Sequence, residues 1–151
     1  MRRFLLHIII FVSLFFVATF LIALNADGYS DPFYLKFTTP KKSSLILGNS
    51  KAAQGIKPQI FNEQLNQNIY NYSFAINSSP FGPKYLKSIK KKLDKKETSG
   101  LFIISVDPWS IASTCDNPND TISFRENDTY VDKIKYVDKK PNFQYFFNYM
   151  Y

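Results

Sequence analysis

Cysteine and histidine each occur once in the 151 residues, as Cys115 and His7. A lone cysteine excludes an intrachain disulfide framework and any zinc site built from cysteines alone, so no metal and no cofactor is expected to scaffold the chain. The lone histidine lies inside a long apolar run, so a site in the rest of the chain must work without imidazole. Apolar residues make up 45%, aromatic residues 17% and charged residues 21%, a balance that supports a packed core and excludes disorder of the whole chain. The length allows one domain and not two ordinary ones.

After Met1, Arg2 and Arg3 runs FLLHIIIFVSLFFVATFLIAL, residues 4–24, opening on Phe4 and closing on Leu24, without a formal charge. A helix of about 20 such residues crosses the hydrocarbon core of a bilayer. A cleaved signal peptide has a shorter apolar region of about 7–15 residues and a small-x-small cleavage site, and Leu24-Asn25-Ala26 makes a poor one. The run is therefore read as an uncleaved, single-pass anchor in the cell membrane. The arginines before it place the N-terminus in the cytoplasm and the rest outside the cell. His7, near the charged end, snorkels, and Ser13 bonds back to its own helix.

Residues 25–43 form a juxtamembrane connector, with turn pairs at Asp27-Gly28 and Asp31-Pro32 and with Phe33, Tyr34 and Phe37 to pack against a domain. Residues 44–151 then make an α/β domain. SLILG, residues 44–48, reads as a strand buried on both faces. PQIFNEQLNQ, residues 58–67, reads as a short helix with proline at its first position. NIYNYSFA, residues 68–75, is a second strand, and residues 83–97 form a helix with Leu86, Ile89 and Leu93 inward and solvated lysines around them. LFIISVD, residues 101–107, is a third strand. This order predicts parallel strands, right-handed crossovers and a sheet covered on both faces. The expected core is Leu45, Ile46, Leu47, Phe102, Ile103, Ile104 and Val106.

The formal charge of +7 is better used on anionic cell-envelope polymers than on nucleic acid, which an extracytoplasmic domain rarely meets. Four Asn-x-Ser/Thr triplets, at Asn71, Asn77, Asn119 and Asn127, are expected by chance in a chain this rich in those residues.

The stretch Gly48-Asn49-Ser50-Lys51-Ala52-Ala53-Gln54-Gly55-Ile56 directly follows the first strand. Ligand sites in open parallel sheets form at the carboxyl ends of strands. A serine there is an exposed nucleophile or the cap of the next helix, and the residues alone leave both readings open.

SLILGNSKAAQGI resembles the first block of the SGNH (GDSL-like) hydrolase superfamily, in which Gly-Asp-Ser follows the first strand and a glycine comes a few residues later. NYSFAINSSPFGPKYL and LFIISVDPWS stand in the places of that superfamily's second and third blocks. The chain is most similar to the membrane-anchored bacterial branch, whose members assist acylation of teichoic acids and envelope polysaccharides. The resemblance implies a partial three-layer α/β/α domain, flavodoxin-like and SGNH-type, with Ser50 as nucleophile. It implies an esterase or O-acyltransferase on acyl groups of cell-envelope glycans, with an envelope polysaccharide or teichoic-acid-like polymer as partner. Ser73, Ala75 and Asn77 lie near the second block's oxyanion donor. Asp107 stands where the third block has an asparagine that donates to the oxyanion, and Asn49 stands where the first has aspartate. The superfamily's late Asp-x-x-His block has no counterpart after His7.

A serine without a base is a poor nucleophile. The chain is accordingly expected to be inactive by itself, either as a C-terminally truncated member or as a non-catalytic, membrane-tethered interaction protein that keeps the fold. The aromatic tail NFQYFFNYMY, residues 142–151, opens on a helix cap and has no stop signal, which favours truncation. Residues 113–140 read as a long exposed loop over the strand ends, and Trp109 as a side chain packed at a strand end.

Overall fold

The computed structural model describes residues 1–25, 31, 33–74, 82–108 and 133–149. Helix α1, Arg2–Leu24, is one continuous apolar helix, long and apolar enough to cross a membrane. The remaining elements are α2 (Tyr34–Thr38), β1 (Ser44–Leu47), α3 (Ser50–Gly55), α4 (Pro58–Leu65), β2 (Ile69–Asn71), α5 (Pro83–Lys92), β3 (Phe102–Ile104) and α6 (Phe143–Tyr149). The three strands form one parallel sheet in the order β2-β1-β3, with Leu45 opposite Tyr70 on one side and Phe102 on the other.

Local chemistry explains where the elements start and stop. Proline opens both α4 and α5, where its missing N–H costs no helical hydrogen bond. Asn66, with φ of 50°, closes α4 in the left-handed conformation that asparagine tolerates. Asn142 caps α6 through its side-chain oxygen, which accepts from Tyr145 N at 3.1 Å.

Strand alternation divides the core in two. Leu45 and Leu47 face Tyr72, Phe74, Tyr34 and Phe37 of the connector, Tyr85 and Ile89 of α5, Ile134, Val137 and Tyr145. Ile46 and Ile69 face the other way, against Ala52 of α3, with Ile56, Phe61 and Ile103 packed alongside. Helices thus lie on both faces of the sheet. The chain steps from β1 to β2 on one side, then returns across β1 to β3 on the other. Connector rings form the centre of the larger cluster: Phe37 is buried and packs 5.7 Å from Phe74 and 5.2 Å from Tyr145.

Several expectations need correction: α5 ends at Lys92 and not at residue 97, and Ile134 and Val137, in a stretch expected as an exposed loop, are buried in the core. Phe102, Ile104 and Val106 are 45%, 53% and 55% exposed, and Ile103 is half-buried, so β3 is half-covered on one face and exposed on the other. The Leu45 face is covered by α2, α5 and α6 over β1 and β2, and that cover does not extend over β3. Leu86 points to solvent at 48%, leaving Tyr85 and Ile89 as the inward residues of α5. Lys92 is fully buried rather than solvated. Its Nζ meets Lys36 O at 2.9 Å, Thr39 O at 2.6 Å, Thr39 Oγ1 at 2.7 Å and Val137 O at 2.8 Å. It also sits over the Tyr70 and Tyr72 rings, joining α2, α5 and the segment before α6.

Candidate functional site at the carboxyl end of the sheet

The carboxyl end of β1 is the place where the chain reverses its direction of travel across the sheet. Open α/β sheets form their crevices at such switch points. Gly48 makes the exit from β1 with φ of 153°, and a Cβ there would come within 2.7 Å of the Ala52 Cβ and 3.0 Å of the Ser105 Cβ. Only glycine fits that backbone and that space. The turn is pinned on both sides, since Phe74 N donates to Gly48 O at 3.3 Å and Ser105 N donates to Leu47 O at 2.9 Å.

Asn49 is buried and is the N-cap of α3, its Oδ1 accepting from Lys51 N at 3.0 Å. Its Nδ2 donates to Asp107 Oδ2 across the carboxyl ends of β1 and β3. Lys51 Nζ lies 3.6 Å from the same carboxylate oxygen. Ser50, the first residue of α3, is exposed beside this trio. The helix cap is therefore Asn49, and the Ser50 hydroxyl is not used for that purpose.

Ser73 is buried in the adjoining strand end, where its Oγ donates to Ile46 O at 3.3 Å and its N–H donates to Asn71 Oδ1 at 3.1 Å. Both its polar groups serve the local turn. Asp107 accepts from Asn49 and is held toward Lys51, and an ionised carboxylate has no proton to donate. Ala75, Asn77, Trp109 and Cys115 lie outside the described residues. The single imidazole is remote, in α1, with Nδ1 2.6 Å from Arg3 O. Among the described residues no group of histidine, cysteine and carboxylate side chains gathers with metal-binding geometry.

Two residues support the site in ways that their sequence positions do not reveal. Asn71 Nδ2 donates to Ala52 O at 2.8 Å and Ile56 O at 3.0 Å, fastening α3 and its exit to β2. Its amide is thus engaged inside the protein, although it opens an Asn-x-Ser triplet. Lys51 follows the serine directly, but nothing in a lysine's sequence position reveals a carboxylate 56 residues later. Arranged this way, the site offers an exposed hydroxyl at a helix start, next to a part-buried amide-carboxylate pair and a cation. Residues 8–151 bring no imidazole to it.

Comparison of the chain with protein-family models, with curated proteins and with solved structures gives no match.

Proposed function

We infer that this chain belongs to a membrane-anchored, extracytoplasmic protein of SGNH type. It works as an esterase or O-acyltransferase on acyl groups of cell-envelope glycans, with Ser50 as nucleophile and α1 as the membrane span. The observation that carries this reading is the position of Ser50. It is exposed at the start of α3, immediately beyond the central strand of a parallel sheet, at the switch point where such folds bind ligands.

A second observation supports it. The superfamily has an aspartate beside the nucleophile and an asparagine in the third block, and here an asparagine and an aspartate stand in those places, at Asn49 and Asp107. The two side chains meet in a hydrogen bond. The two departures from the family pattern thus meet in one contact in this chain.

Residues 8–151 contain no histidine, so Ser50 lacks the imidazole base of the superfamily's serine site. That same absence, together with Asp107 standing in place of a donor, favours a second reading as a non-catalytic, membrane-tethered interaction protein. Hydrolysis of p-nitrophenyl acetate by the 151-residue chain and by Ser50→Ala separates the two once a base is provided. The esterase reading expects no Ser50-dependent rate without added base and a Ser50-dependent rate with it. Equal rates for both proteins under both conditions would leave the interaction reading.

A further inference from the structure

The amino end of the sheet, opposite the Ser50 site, carries a cleft of about 450 Å³ that includes Lys41, Lys90, Lys91, Lys95 and Lys96 in its lining, with Asp94 as the lining carboxylate. Its floor is held by backbone. Lys42 and Leu93 form a parallel bridge, with Lys42 N donating to Lys92 O at 3.1 Å and Asp94 N donating to Lys42 O at 3.0 Å. Asp94 Oδ1 accepts from Lys96 N at 3.0 Å, which turns residues 94–96 back toward the cleft. At its margins Lys91 Nζ donates to Ile134 O at 2.7 Å and Lys41 pairs with Asp138 at 3.7 Å. Lys90, Lys95 and Lys96 are exposed at the mouth.

We propose that this lysine cleft binds a soluble linear polyanion with closely spaced phosphates, as a second site independent of the chemistry at Ser50. Five ammonium groups around a fixed concavity outnumber its carboxylates, Asp94 in the lining and Asp138 against Lys41, and concentrate positive potential there. The cations of the lining are lysines alone, compact point charges of the kind that holds phosphate oxygens.

The topology argues against a bilayer surface as the ligand. Tyr34 OH reaches Ala23 O at the end of α1 at 3.5 Å, and its neighbour Phe33 stacks on Phe74 beside Gly48 at the carboxyl end of the sheet. Helix α2 then leads away from that end to Lys41 and Lys42. The anchor and the Ser50 site share one end of the domain, and the lysine cleft opens at the other.

The test uses the full chain in nanodiscs, with long-chain inorganic polyphosphate as probe. Wild-type protein binds it with an affinity that falls with salt, and K90Q/K95Q/K96Q weakens binding and lowers the log-log salt slope by about 2, as expected for three lost phosphate contacts. A control that removes the same charge elsewhere, K57Q/K84Q/K87Q, leaves affinity and slope near wild type. The result is the same in neutral discs and in discs containing anionic lipid. Equal losses in the two triple variants would reduce the effect to net charge and overturn the proposal. Polyphosphate binding abolished by anionic lipid in the same disc would assign the cleft to the membrane and overturn it too.

Discussion

Lys92 and the pair formed by Asn49 and Asp107 show what single side chains do in this domain. Burial pushes the Lys92 ammonium down to about 7 and that of Lys36 down to about 8, while in an unfolded chain both sit near about 10.4. Between these limits the unfolded chain binds more protons than the folded one. Stability therefore rises as pH rises from about 7 toward 10, and is lost as pH falls through about 8 and then 7. Unfolding by urea at a series of pH values is expected to show that slope, and K92M to show a smaller one. At pH near 9 the variant is also less stable by about 1–3 kcal/mol, because it leaves buried oxygens without a donor; an unchanged slope would contradict the assignment. At the other end of the sheet, N49D sets a second carboxylate against Asp107 and D107N removes the charge that holds Lys51. The double exchange N49D/D107N again sets one amide donor against one carboxylate. Each single variant is expected to lose about 1–3 kcal/mol and the double to recover most of it, a coupling typical of side chains in contact. Strictly additive losses in chemical denaturation would show that the hydrogen bond carries no weight.

Among the elements, β1 and β3 share a register but not an environment. Leu45 and Phe102 are partners in the sheet, yet Leu45 is fully buried and Phe102 is 45% exposed. Leu45→Ala is expected to cost about 2–5 kcal/mol in urea unfolding and Phe102→Ala clearly less; equal costs would mean that β3 is covered as fully as β1. The contrast marks the limit of reading by pattern. A short apolar run such as LILG or LFIISV identifies a strand, and all three strands and the starts of α4 and α5 were legible because proline, glycine and apolar spacing act locally. Whether a helix lies over the run depends on where α2, α5 and α6 dock, which no local pattern records. The same holds for Lys92, one lysine among neighbours on α5, whose burial follows from Thr39 and Val137 far along the chain. Gly48 and Ser50 were legible as a turn at a strand end, whereas the contact between Asn49 and Asp107 needed the third dimension.

For the whole molecule, the contacts give the domain a polarity. The end of α1 meets Tyr34, Phe20 stacks on Phe143 at 6.1 Å, and Tyr145 OH donates to Asp31, all on the side toward which β1 delivers Ser50. A catalytic reading of that end requires a serine that reacts once it is given the base that residues 8–151 lack. The decisive measurement is p-nitrophenyl acetate turnover by the intact chain and by Ser50→Ala across a series of imidazole concentrations, the variant's rate being subtracted as the contribution of imidazole itself. Losing the base costs a serine site about as much as losing the serine itself, more than the factor of about 10²–10³ that a single oxyanion donor is worth. No difference between the two proteins is therefore expected without imidazole, and a difference in favour of the serine that grows with imidazole and then saturates. Identical rates at every concentration would contradict a nucleophilic Ser50, and a Ser50-dependent rate without imidazole would contradict the missing base.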